Sequence, residues 1–141
     1  MNRLTLALDV MGGDIGPRIT IPASLSALEA DPMLSLVLFG DNQQISPLLE
    51  NAPSSLLERI QIHHCTKTID NNQGISHALR HSKGTSMRLA IEMVQKGEAQ
   101  GCVSAGNTGA LMGLSKVLLQ PLEGIQRPAL VSLLPSMTGD K

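Results

Sequence analysis

The residues Ser104-Ala105-Gly106-Asn107-Thr108-Gly109 interrupt an apolar run and precede a stretch of helical period, with Leu111, Leu114 and Leu118 in line. A strand that ends in such a bend delivers backbone to the edge of a sheet. Gly106 and Gly109 remove side chains there, so the main chain can approach a ligand. Asn107 or Thr108 suits the N-cap of the following helix. The free N–H groups of its first turn then form an anion site, where the helix dipole contributes about 0.3–1 kcal/mol. The same residues also fit a plain strand-to-helix turn.

Two further stretches carry chemical groups. Asp9-Val10-Met11-Gly12-Gly13-Asp14-Ile15-Gly16-Pro17 follows the apolar run Leu4 to Val10. Its acids and glycines suit a pocket wall or a divalent cation, or equally two caps and a turn. It is neither a Walker A loop nor a spaced dinucleotide fingerprint. In Arg80-His81-Ser82-Lys83-Gly84-Thr85-Ser86-Met87-Arg88, cations and hydroxyls flank a helix start, with Thr85 or Ser86 as the cap. A phosphate clamp fits, with Lys83 as a mobile charge and Arg88 as a fork. A solvated basic turn fits too.

Other candidates lead to less. His77 and His81 have metal-ligand spacing but no evident third ligand, so no metal is assigned. His63 and His64 are neighbours in a strand and point to opposite faces. Ser104 has no His base nearby in sequence and no G-x-S-x-G elbow, which argues against a nucleophilic serine.

The elements that must position these groups can be read from the pattern. Leu4–Val10, Leu34–Phe39, Arg59–Cys65, Gly101–Ser104 and Ala129–Leu134 read as strands. Helices are expected from near Pro22 to Ala30, in pieces between Ile45 and Leu57 with breaks at Pro47 and Pro53, and over Ile75–His81, Thr85–Lys96 and Asn107–Leu119. Continuous apolar strands alternating with helices imply an α/β fold, a mostly parallel sheet covered on both faces. The chain stops just after its fifth strand with no closing helix, which suggests part of a larger domain.

Composition bounds the rest. The 141 residues suit one domain, 42% are hydrophobic and 16% charged, and the net charge of −1 leaves no basic footprint for nucleic acid. Trp and Tyr are absent and Phe39 is the single aromatic, so bases have little to stack on. No secretory signal or membrane span is evident. Cys65 and Cys102 read as two thiols of a cytosolic protein rather than a disulfide.

Three stretches, "LALDVMGGDIGP", "SKGTSMRLAIEMVQKGEAQGCVSAGNTGALMG" and "PLEGIQRPAL", occur in order and together resemble the PlsX family of phosphate acyltransferases. The resemblance runs from Leu4 to Leu134. It implies an isopropylmalate dehydrogenase-like or phosphotransacetylase-like α/β fold, residues 1–141 being the N-terminal part of one acyltransferase domain. It also implies acyl transfer from acyl-acyl-carrier-protein to inorganic phosphate, without a cofactor. Members are cytoplasmic homodimers that work at the inner face of the membrane and hand acyl-phosphate to a membrane acyltransferase. They continue well beyond Lys141.

On chemical grounds Asn107, Thr108, Lys83 and Ser86 are then assigned to catalysis. Asp9, Gly12, Gly13, Asp14, Arg88, Ser104, Gly106 and Gly109 are assigned to substrate binding. Phosphate is already largely a dianion near neutral pH, so the site needs positioning and charge tolerance more than a strong base. Two other readings stay open: a non-catalytic anion-binding module, and a nicotinamide-dependent hydroxy-acid dehydrogenase of the same fold.

Overall fold

The computed structural model describes residues 3–134, in which four strands and six helices alternate. β1 (Leu4–Asp9), β2 (Leu34–Gly40), β3 (Ile60–His64) and β4 (Gly101–Ser104) form one parallel sheet in the order β3-β2-β1-β4. β1 registers Asp9 against Phe39 of β2 and against Ser104 of β4. The chain therefore steps outward from β1 through β2 to β3, then returns to β1's other side with β4. The switch point lies between β1 and β4, at the carboxyl ends of the strands, where ligands bind in open α/β sheets.

Alternate side chains of the strands feed two cores. On one face Leu36 and Leu38 of β2 pack with Ile21 and Leu28 of α1 (Pro17–Ala30), Ile45 and Leu49 of α2 (Asn42–Leu49), and Leu56 of α3 (Ser54–Leu57). On the other face Ala7, Val37 and Phe39 meet Ala90 of α5 (Ser86–Gln95). A third cluster joins Ala78 of α4 (Ile75–His81), Met87 and Ile91 of α5, and Ala110 and Leu114 of α6 (Thr108–Leu119).

Three expectations change. α1 begins at Pro17, not near Pro22, because Gly16 at φ 73° turns the chain and Pro17 starts the first turn without a needed N–H. Pro22 is carried inside the helix; it and Arg18, whose carbonyl loses its donor, are both exposed, so the lost bond lies on the solvent side of the helix. α2 likewise runs through Pro47, and the real break precedes Pro53, the N-cap residue of α3. The expected fifth strand, Ala129–Leu134, is not a strand. It pairs with none of the described residues, and Leu130, Val131, Leu133 and Leu134 are 67–91% exposed. An apolar run becomes a strand only where a sheet edge receives it.

Arg59 fastens α1 to β2. Its guanidinium donates to the carbonyls of Leu28 (2.6 Å), Asp31 (2.8 Å) and Leu34 (3.0 Å), the C-terminal turn of α1 and the start of the next strand. Hydrogen bonds from a charged donor contribute about 1.5–3 kcal/mol each, non-additively. Arg59→Ala is expected to lower the urea unfolding free energy by about 2–4 kcal/mol, with Arg59→Lys recovering only part of it.

Candidate functional site at the β1–β4 switch point

The ends of β1 and β4 meet in a small hydrogen-bonded cluster. The Ser104 hydroxyl donates to Asp9 Oδ2 (2.7 Å) and accepts from the Gly106 amide (3.0 Å). Asp9 is 3% exposed, and its Oδ1 is buried without a hydrogen-bond partner among the described residues. Gly12 closes the cluster: a Cβ there would stand 2.8 Å from Asp9 Oδ2, 2.8 Å from the Gly106 nitrogen and 3.0 Å from Ser104 Oγ. Gly13, at φ +90°, adopts a backbone conformation that favours glycine and lies beside Ala105.

A second set of bonds ties three loops together. Asn107 caps α6 by accepting from the Ala110 amide (3.0 Å). Its Nδ2 donates to the carbonyls of Asn71 and Gln73, each at 3.0 Å. Asn71 in turn donates from Nδ2 to Asp14 Oδ1 (2.9 Å). The glycine loop after β1, the segment 70–73 and the start of α6 are thus one connected unit. A polar cavity of about 280 Å³ sits against it, lined by Met11, Gly13, Asp14, Asp70, Asn71 and Asn72 among others.

This arrangement revises several expectations. The Gly106 amide is bonded back to Ser104 and is not free for an anion. Gly109 clears space for Ile75 rather than for a ligand, since a Cβ there would lie 2.7 Å from Ile75 Cγ1. Gly106 likewise faces Met87 Cε at 3.0 Å. Both polar ends of the Asn107 side chain are engaged in structure. What stays open is the first turn of α6: the Thr108 and Gly109 amides have no protein partner among the described residues, and Thr108 is exposed.

The basic segment is not a fork aimed at this cluster. Arg88 donates from Nε to Glu92 (2.6 Å) and from Nη1 to Ser82 (3.0 Å). Thr85, not Ser86, is the N-cap residue of α5, and Ser86 is 1% exposed. Lys83 is exposed beside Gly84 and makes no ion pair among the described residues. His77 and His81 pack against each other with ring centroids 4.4 Å apart and planes tilted by 35°. Asn71, Gln73 and Ile75 were missed as partners of the site; the polar run Asp70-Asn71-Asn72-Gln73 was the available signal.

Neither cysteine sits where its thiolate is favoured. Both are free. Burial, and then the charge of Asp9, pushes the Cys65 thiol up to about 11 and Cys102 up to about 12, from an ordinary 9.0. A thiol whose folded value is raised stays protonated while the unfolded chain loses its proton. Its stabilising contribution is complete below pH 9 and is lost as pH climbs toward 11 for Cys65 and toward 12 for Cys102. Urea unfolding between pH 8 and 11 should therefore show falling stability, and a variant lacking both thiols a flatter decline.

The open parallel sheet, with polar loops converging at its switch point, makes this an α/β protein with its polar loops at the place where ligands bind in such sheets. A family model described as "Fatty acid synthesis protein" matches residues 4–141, and the chain belongs to that family. Curated relatives from Mannheimia succiniciproducens and Pasteurella multocida are each 78% identical over 141 residues, covering 100% of this chain and 42% of their own. One from Haemophilus ducreyi is 59% identical over 139 residues, covering 99% and 40%. All three carry the name phosphate acyltransferase. The chain thus spans about two fifths of the length of the curated relatives it matches. Among its described residues no helix is long and apolar enough to cross a membrane.

Proposed function

We propose that this chain forms the phosphate-binding part of a phosphate acyltransferase, which moves a fatty acyl group from acyl-acyl-carrier-protein to inorganic phosphate for phospholipid synthesis. The observation that carries the reading is the free first turn of α6 beside the β1–β4 switch point, in a family whose relatives bear that name. A phosphate oxygen attacks the thioester carbonyl, forming a C–O bond. The C–S bond then breaks, and the carrier thiolate leaves and takes up a proton. The Thr108 and Gly109 amides and the Thr108 hydroxyl hold the phosphate oxygens, with Lys83 as a mobile counter-charge. Asn107, Ser104 and Asp9 keep α6 and its loop in place. Gly12, Gly13 and Asp14 form the facing wall, and Ser86 supports the start of α5. Arg88 acts at one remove, by bracing the turn through Ser82.

The working form is a cytoplasmic homodimer that meets the inner membrane surface and passes acyl-phosphate to a membrane acyltransferase. Nothing in the site favours the dehydrogenase reading. The test is an NMR titration of this chain with phosphate, with chloride at matched ionic strength as the control. The Thr108 and Gly109 amides should shift in a saturable way. Phosphate that shifts neither amide removes α6 from the mechanism. A chimera in which this chain replaces the matched region of the Mannheimia succiniciproducens relative would then show whether acyl-phosphate is made.

A further inference from the structure

His77 and His81 take no part in the cluster at the strand ends. They stand one turn apart on α4, both exposed, with ring centroids 4.4 Å apart. Neither ring makes a hydrogen bond among the described residues. The other two histidines are committed: His64 Nδ1 accepts from the Asn42 amide (3.1 Å), and His63 stacks on Phe39 with centroids 5.0 Å apart. The helix that carries the pair is held in place. A Cβ on Gly109 would stand 2.7 Å from Ile75 Cγ1, and one on Gly113 3.2 Å from Leu79 Cδ2, so α4 lies close against α6. Ala78 is buried in the same cluster. His77, Arg80 and His81 are all exposed. The backbone under the two rings is therefore fixed, and only side-chain torsions have to adjust.

We propose that His77 and His81 form a binding site for a divalent ion of the zinc class, with two imidazole nitrogens from the protein and the remaining positions taken by water. Two histidines four apart on one helix face are a zinc-binding pair. On a tetrahedral ion with bonds of about 2.1 Å, the centroids of two ligating rings stand about 5 Å apart. The observed 4.4 Å is close enough that a small opening of the pair admits the ion. Ligand chemistry selects which ion. Residues 71–91 contain no Asp or Glu. Among the described residues no cluster of three or more His, Cys, Asp or Glu forms a competing site. Magnesium and calcium need oxygen ligands that this face lacks, whereas imidazole suits zinc, nickel and copper. Arg80 folds back along the helix, its Nε donating to the Ser76 carbonyl (3.1 Å). A bound ion ties together the turns of a helix only seven residues long. That helix starts just after the segment 70–73 that Asn107 holds and ends at the turn carrying Lys83, so the ion stiffens the stretch between two parts of the proposed phosphate site.

Zinc calorimetry on this chain, with magnesium at the same concentration as the control, tests this. One zinc per chain should bind in a saturable way, and magnesium should not. His77→Gln and His81→Gln should each weaken zinc by about tenfold or more, since even an outer-shell partner is worth about 10–100-fold in metal affinity. His63→Gln should leave it unchanged. Both ligands are exposed, so without zinc each variant should keep the parent's urea midpoint. At zinc about 100 times its Kd, amide exchange across 78–82 should slow by about tenfold or more, because opening of α4 must release the ion. The proposal is overturned by a His77→Gln or His81→Gln chain that binds zinc as the parent does, or by exchange across 78–82 that bound zinc leaves unchanged. Magnesium that displaces the zinc overturns it too, by naming an oxygen site elsewhere. So does half a zinc per chain with a dimer in sedimentation, which would make the ion a bridge between copies.

Discussion

Gly12→Val should collapse both the stability of the β1–β4 junction and any activity that depends on it. The first added carbon would lie within 3.0 Å of Asp9 Oδ2, the Gly106 nitrogen and Ser104 Oγ together. None of these is the free end of a flexible side chain. Asp9 and Ser104 are held by their 2.7 Å hydrogen bond, and Gly106 is backbone. Overpacking of this kind costs about 1–3 kcal/mol. A further penalty arises if Ser104 is pushed aside, because Asp9 already has one buried oxygen without a donor and would lose its other bond. Urea unfolding should show a loss of about 2–4 kcal/mol, with Gly12→Ala in between. In the chimera, acyl-phosphate formation should fall by roughly 100-fold, the scale expected when a binding loop shifts by about 1 Å. An unchanged urea midpoint for the valine variant would show that the ends of β1 and β4 do not pack as described.

Asn107 yields the second large effect, and the choice of substitution separates two roles. Its oxygen caps α6 while its amide nitrogen holds the carbonyls of Asn71 and Gln73. Asn107→Ser keeps a good cap and drops the loop anchor. Asn107→Asp also keeps the cap but turns an oxygen toward those carbonyls, and places a negative charge where phosphate is proposed to sit. The aspartate variant should be less stable by about 1–3 kcal/mol, with faster hydrogen exchange across residues 70–74. Phosphate affinity at Thr108 and Gly109 should fall at least tenfold. The serine variant should share the loosened loop but keep more of the affinity. If serine and aspartate weaken phosphate equally, the loop anchor rather than local charge governs binding. If neither changes exchange across 70–74, Asn107 does not hold the loops together.

Much of the architecture was legible because parallel strands buried on both faces must be apolar throughout. Leu34–Phe39 was found on that signal; Gly101–Ser104 reads as the same kind of short buried run, yet Val103 is 49% exposed. Helix starts were legible where a side chain does the capping, as at Thr85 and Asn107. The prolines misled because a helix tolerates proline wherever water can reach the abandoned carbonyl, which depends on burial rather than on local sequence. The 129–134 run misled for a related reason: strand propensity is a preference for a partner, and none of the described residues supplies one.

The candidate site divides along the same line. Which residue types gather at the strand ends, the glycines, the capping Asn and the acids, is readable from local order alone, because turn geometry and capping are local and each leaves its mark within a few residues. Tertiary structure decided what those residues face. It turned Arg88 onto Glu92, spent the Gly106 amide on Ser104, filled the spaces at Gly106 and Gly109 with Met87 and Ile75, and recruited Asn71 from 36 residues away. Hydrogen bonds and packing between loops depend on strand order, and the 3-2-1-4 order brings Asp9 and Ser104, 95 positions apart, within 2.7 Å.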